Sequence, residues 1–141
     1  MTGPARLTVR IRAPRVAGRP RPWQSTNDLV HALNRGIHAG NDLKRYYTGI
    51  AAEYAREAAI QQGWRAPDAP VDVWITWYEV DRRRDPDNVH GGAKTVMDGL
   101  VLAGAIRDDS QRWVRDIHHR IRYDAEDPGA EVVLEVAAGG R

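Results

Sequence analysis

The sequence predicts an α+β domain built on one mixed β-sheet, with helices packed mainly on one face in the order β-α-β-α-β-β. Period-2 apolar alternation marks four short segments, and three- and four-residue periodicity marks two longer ones. The 141 residues suit one domain spanning 1–141.

Leu7, Val9 and Ile11 alternate with Arg6, Thr8, Arg10 and Arg12, which gives a first strand with one apolar and one basic face. Residues 13–24 hold three prolines and a glycine and are expected to form a loop. Between Asp42 and Gln62, Leu43, Tyr47, Ile50, Tyr54 and Ala58 recur at helical spacing, and Gly63 is placed to end the run. Val71, Val73, Ile75 and Trp77 share one face of the next strand. Trp74 and Tyr78 on the other face suggest that something covers both sides.

A second helix is expected over 93–103, with Val96, Met97, Leu100 and Val101 facing the core, Lys94 and Asp98 one turn apart, and Gly104 as a stop. Ile117, Ile121 and Tyr123 form the apolar face of a third strand, opposite His118, Arg120 and Arg122. Val132, Leu134 and Val136 define the last strand.

Composition removes several function classes. Without cysteine there is no disulfide framework, thiolate metal site or cysteine nucleophile. No stretch approaches the roughly 20 apolar residues needed to span a bilayer, and MTGPARLTVR has no signal-peptide core, so a cytoplasmic protein is expected. The net charge of +2 is modest but unevenly distributed. Residues 1–22 carry six arginines and no acid, and Arg82, Arg83 and Arg84 form a second basic cluster suited either to phosphates or to a solvated surface.

The chemistry concentrates in residues 81–111, DRRRDPDNVHGGAKTVMDGLVLAGAIRDDSQ. Asp85 and Asp87 flank Pro86 and, in an extended segment, share a face. Two carboxylates so placed repel each other unless arginines or a hard cation intervene, and Mg²⁺ uses one or two carboxylates with water and phosphate oxygens. Asp108 and Asp109 follow the second helix and can return to the first pair. Asp85, Asp87 and Asp109 are then the expected three-carboxylate cluster, with Asp108 capping the next turn. Such a cluster suits metal-assisted phosphodiester hydrolysis, with Lys94 donating to a phosphate oxygen or orienting water.

Taken singly, each piece has an ordinary reading. Asp-x-Asp occurs in solvated loops, Asp-Asp-Ser in capped turns, and Lys94–Asp98 as a surface pair worth a few tenths of a kcal/mol. His118 and His119, adjacent on a strand, face opposite ways and make a poor metal pair. The tryptophans fit the core better than base-stacking platforms.

Taken together, Arg-Arg-Arg-Asp-Pro-Asp-Asn at 82–88, Lys94, Asp98-Gly-Leu, Gly104 and Asp108-Asp109 resemble the RusA family of crossover-junction endodeoxyribonucleases. The resemblance implies metal binding by Asp85, Asp87 and Asp109, catalytic assistance by Lys94, and DNA contacts by Asn88, Arg82, Arg83 and Arg84. Pro22-Trp23-Gln-Ser-Thr-Asn27 is similar to the family's amino-terminal motif and implies a further DNA contact at Asn27, although Asp28 stands where a basic residue often occurs. The interval from Asn88 to Lys94 is longer than usual, and Gly91-Gly92 are expected to absorb it as a loop. Mg²⁺ (with Mn²⁺ as a substitute), branched DNA as substrate and a homodimer with two equivalent sites follow from the same resemblance.

Two other classes remain. One is a non-catalytic DNA-binding module whose carboxylates organise arginines. The other is a nucleotide-sugar transferase using Asp-Pro-Asp for its metal, for which the chain is short and lacks a phosphate-cradling glycine loop.

Overall fold

The computed structural model describes residues 3–137. Its elements are β1 (Arg6–Arg12), α1 (Thr26–Arg35), α2 (Ile37–Gln62), β2 (Val71–Glu79), α3 (Pro86–His90), α4 (Ala93–Leu102), β3 (Val114–Tyr123) and β4 (Gly129–Val136). The four strands form one sheet in the order β1-β4-β2-β3. β4 runs antiparallel to both β1 and β2, whereas β2 and β3 are parallel. A parallel pair requires a crossover, and α3 and α4 supply it.

The sheet is mixed and its helices lie on one face, as expected. Leu7, Val9 and Ile11 of β1, Val132 and Leu134 of β4, and Val73, Ile75 and Trp77 of β2 are buried in one cluster with Ala51 and Ala55 of α2 and Val96 and Leu100 of α4. No helix among the described residues is long and apolar enough to cross a membrane.

Four expectations need correction. Helix α1 was not foreseen, although Ser25 and Asp28 announce it: Ser25 Oγ accepts from the Asp28 N–H and the Asp28 carboxylate accepts from the Ser25 N–H, a capping box. Helix α2 starts at Ile37 rather than Asp42 although Gly40 and Asn41 are poor helix formers, because the bare Gly40 backbone packs directly against Leu33 of α1. Among the described residues no helix or strand covers the second face of the sheet. Trp74 is instead roofed by the His118 ring at 5.0 Å and Tyr78 by the Arg10 guanidinium at 4.5 Å. Finally, Ile117 and Tyr123 are exposed, since β3 lies at the sheet edge and the helices do not reach over it.

Helices α4 and α2 also pack closely. A Cβ built on Gly99 would lie 2.5 Å from Ala51 Cβ and 2.9 Å from the Ala52 nitrogen, so α2 lies against bare backbone there. Gly99→Val forces the two helices apart and is expected to destabilise the fold by about 1–3 kcal/mol, read as a lower urea midpoint at unchanged m-value.

Candidate functional site

Strand β2 ends on Glu79, whose position in the strand alternation points its side chain into the core, where it is only 4% exposed. A carboxylate there must be paired. Arg84 folds back to do so: its Nε donates to Glu79 Oε1 and its Nη2 to Glu79 Oε2, each at 2.8 Å. The same guanidinium donates to the Trp23 carbonyl at 2.8 Å and to Asp28 Oδ2 at 3.4 Å. The expectation that Arg84 contacts DNA is therefore corrected: its donors are committed inside the protein. Arg82 lies over the Tyr123 ring at 4.5 Å, and Arg83 is exposed beside Asp81.

The Asp-Pro-Asp unit opens a helix rather than continuing as an extended segment: Asp85 is extended, and Pro86 and Asp87 are helical. Pro86 opens α3, where its fixed φ suits the first turn and its missing N–H costs no hydrogen bond. Asp85 is the N-cap residue, but its side chain makes no capping bond. The carboxylates of Asp85 and Asp87 are exposed and engage no described residue. Asn88 Oδ1 accepts from the Asn27 N–H at 2.9 Å, so the two asparagines expected at DNA lie side by side.

Gly91 and Gly92 do not loop out. Both have right-handed helical backbone, which carries the run from α3 into α4. Glycine is required for another reason: a Cβ at Gly91 would lie 1.8 Å from Thr26 Oγ1, and one at Gly92 would lie 2.6 Å from the Gln24 carbonyl. The 23–26 segment passes over these bare positions. Its Trp23 Nε1 donates to Thr95 Oγ1 at 3.1 Å, and Thr95 Oγ1 donates to Gln24 Oε1 at 2.6 Å, all three groups being buried. Trp23, Gln24 and Thr95 are thus positioning residues that the sequence reading missed. Only their polarity beside apolar neighbours hinted at it.

On α4, Lys94 Nζ donates to Asp98 Oδ1 at 3.0 Å and to Asp109 Oδ2 at 3.5 Å. The hydrogen bond to Asp98 raises the lysine pKa; burial opposes it and the charges of Asp98 and Asp109 reinforce it. Lys94 is accordingly a fixed ammonium at neutral pH. Asp109 reaches it because the chain turns back after α4, with Gly104 in the left-handed region at φ 75° and the Ala105 N–H donating to the Leu100 carbonyl. Asp108 is exposed, and its side chain neither caps the turn nor meets a described partner. The Trp113 and Val114 N–H groups donate to the Ser110 carbonyl instead.

The three-carboxylate cluster is not drawn together. Among the described residues no three His, Cys, Asp or Glu side chains converge as a metal site, and Asp109 is held by Lys94. The donor chemistry nonetheless fits a hard divalent cation. Asp85 and Asp87 offer unengaged oxygens, and Mg²⁺ needs only one or two carboxylates beside water and phosphate. A cleft of about 410 Å³ beside Arg84 is lined by Arg21, His31 and Arg35 as well as Asp28 and Tyr47.

No family model matches the chain. Nor does any curated protein. The case therefore stands on the residues themselves.

One histidine couples the crossover to the sheet. His119 stacks on His90 at 4.2 Å, and its Nδ1 accepts from Trp77 Nε1 at 3.0 Å. His118 faces the other way, onto Trp74. Burial first, then the charges of His90 and His118, lowers the His119 pKa. The folded state therefore binds a proton less readily than the unfolded chain. The stability held above the unfolded value of about 6.5 is lost as pH falls from there toward the lower folded value. An NMR titration should place the His119 midpoint below 6.5, with urea stability declining over the same window. Replacing Arg84 by alanine strands a buried carboxylate and is expected to cost about 3–5 kcal/mol. The double change Glu79→Leu with Arg84→Met should recover most of that in the same denaturation experiment.

Proposed function

We propose that this chain is a Mg²⁺-dependent, structure-selective DNA endonuclease that resolves Holliday junctions by paired nicks as a homodimer, like the RusA family it resembles. The observation carrying this reading is that one helical run, α3 into α4, presents two unengaged carboxylates, a fixed ammonium and Asn88 beside Asn27.

Asp85 and Asp87 would hold the cation, and Asp109 would join them by parting from Lys94. Mn²⁺ has the same oxygen preference and would substitute. When bound, such an ion lowers the pKa of a water, polarises a phosphoryl oxygen and offsets charge in the transition state. Lys94, kept protonated by its acidic neighbours, directs an ammonium proton at a non-bridging phosphate oxygen. Asn27, Asn88, Arg82 and Arg83 meet the sugar-phosphate backbone, which fixes register without reading sequence. A four-way junction presents two equivalent strands, so a two-fold dimer matches its symmetry. A cytoplasmic setting goes with a DNA substrate.

The non-catalytic DNA-binding reading is favoured by one observation: Asp98 and Asp109 already hold a cation, Lys94. Cleavage of a synthetic four-way junction with Mg²⁺ or Mn²⁺ separates the two. Asp85→Asn, Asp87→Asn and Asp109→Asn should each abolish cleavage while sparing junction binding. Lys94→Ala should slow cleavage by about 10²–10³-fold. Wild-type protein that binds junctions but leaves them intact with either metal would establish the non-catalytic reading.

A further inference from the structure

Strand β3 is ten residues long, lies at the sheet edge and bonds only to β2. Long edges with exposed apolar side chains recruit other strands, and β3 exposes such side chains between its charged residues Arg115, Asp116, Arg120 and Arg122. Here Ile117 is 41% and Tyr123 47% exposed on the helix side of that edge. The direction of the backbone groups is fixed by one bond, the Asp124 N–H donating to the Glu79 carbonyl at 2.9 Å. Residues alternate, so the even members of β3 bond toward β2, and the N–H and C=O groups of Ile117, His119 and Ile121 point outward.

We infer that this edge pairs antiparallel with β3 of a second copy of the chain, about a two-fold axis at His119, making one continuous sheet across the dimer. In that register each residue lies opposite the one whose number completes a sum of twice 119. Ile117 then faces Ile121 on the helix side, Asp116 faces Arg122 on the open side, and Arg115 faces Tyr123. The outward groups of residues 117, 119 and 121 form the close hydrogen-bonded pairs this register requires. Among the described residues Arg122 has no acidic partner, and the Asp116 carboxylate meets only Arg115, at 3.8 Å. His118 falls opposite Arg120, a pair without attraction. Shifting the axis to Arg120 would set Asp116 against Asp124 and separate the isoleucines, so charge and apolar complementarity together favour His119. This surface deepens the dimer in the nuclease reading, but its test requires neither DNA nor metal.

Analytical ultracentrifugation of the full chain provides that test. The wild type should be a dimer. Asp116→Arg and Arg122→Asp should each weaken association by at least about tenfold, since each places like charges opposite at both symmetry-related pairs. The double reversal should restore it, and circular dichroism should show every variant folded, because both side chains are exposed. A monomeric wild type, a dimer indifferent to the single reversals, or a double variant that stays monomeric would overturn the proposal. A dimer that passes this test but cleaves no junction would sink the nuclease reading alone.

Discussion

Glu79 ends the central strand on its inward face, where a carboxylate cannot stay charged without a partner. Satisfying it determines the path of everything that follows. Arg84 must return to the strand end, so residues 80–83 form a tight reversal and Asp85 emerges beside the sheet. The guanidinium's remaining donors fix the Trp23 carbonyl and Asp28, drawing the start of α1 to the same place. One buried ion pair thus joins two stretches of chain distant in sequence, 23–28 and 79–84. Such pairs contribute little net stability compared with apolar packing, but they penalise any arrangement that leaves one partner alone. Here that penalty falls on misplacing the Asp-Pro-Asp unit.

The second constraint is steric. Gly91 and Gly92 adopt ordinary helical backbone, so their value lies in what they lack. Segment 23–26 sits where their side chains would be, and Thr95, one turn into α4, takes hydrogen bonds to both Trp23 and Gln24. The helical run from Pro86 to Leu102 is therefore clamped at its middle and guided at its start by Arg84. Lys94 and Asp98 lie beyond the clamp, Asp85 and Asp87 before it. A residue pair separated by seven positions on a helix falls on nearly one side, roughly 10 Å apart along the axis. Asp87 and Lys94 have that spacing.

Much of the fold was legible because burial imposes periodicity. All four strands were read from alternation and both apolar helices from their stripe, since each buries one face against a common core. What escaped was held by polar or local forces. Helix α1 has a single buried residue, Ala32, and its apolar stripe of Leu29, Ala32 and Leu33 is too short to stand out beside the capping residues Ser25 and Asp28. Helix α3 is five residues long, and a proline between two aspartates reads equally as a turn. The site was half legible for the same reason. Lys94, Asp98 and Asp109 do meet, and Asn27 does lie beside Asn88. The role of Arg84 depended on Glu79 being buried, which alternation along β2 implied but an isolated arginine run concealed.

In the proposed nuclease the ammonium of Lys94 and a divalent cation would compete for Asp109. With Lys94 between Asp98 and Asp109, the acidic pair is neutralised in part and the free carboxylates lie on the α3 side. A cation arriving with a phosphate would change the balance, because the phosphate would bring negative charge for Lys94 to serve instead. The lysine would then exchange a carboxylate for substrate, leaving Asp109 available to the metal. Pairing in the free protein and assembly in the bound one are two states of the same three groups. Their equilibrium shifts only by the difference in electrostatic free energy that the phosphate supplies. Under the proposed function, such an arrangement would keep repelling carboxylates apart until a polyanion arrived to share their cations, so that strand binding and completion of the site would be one event.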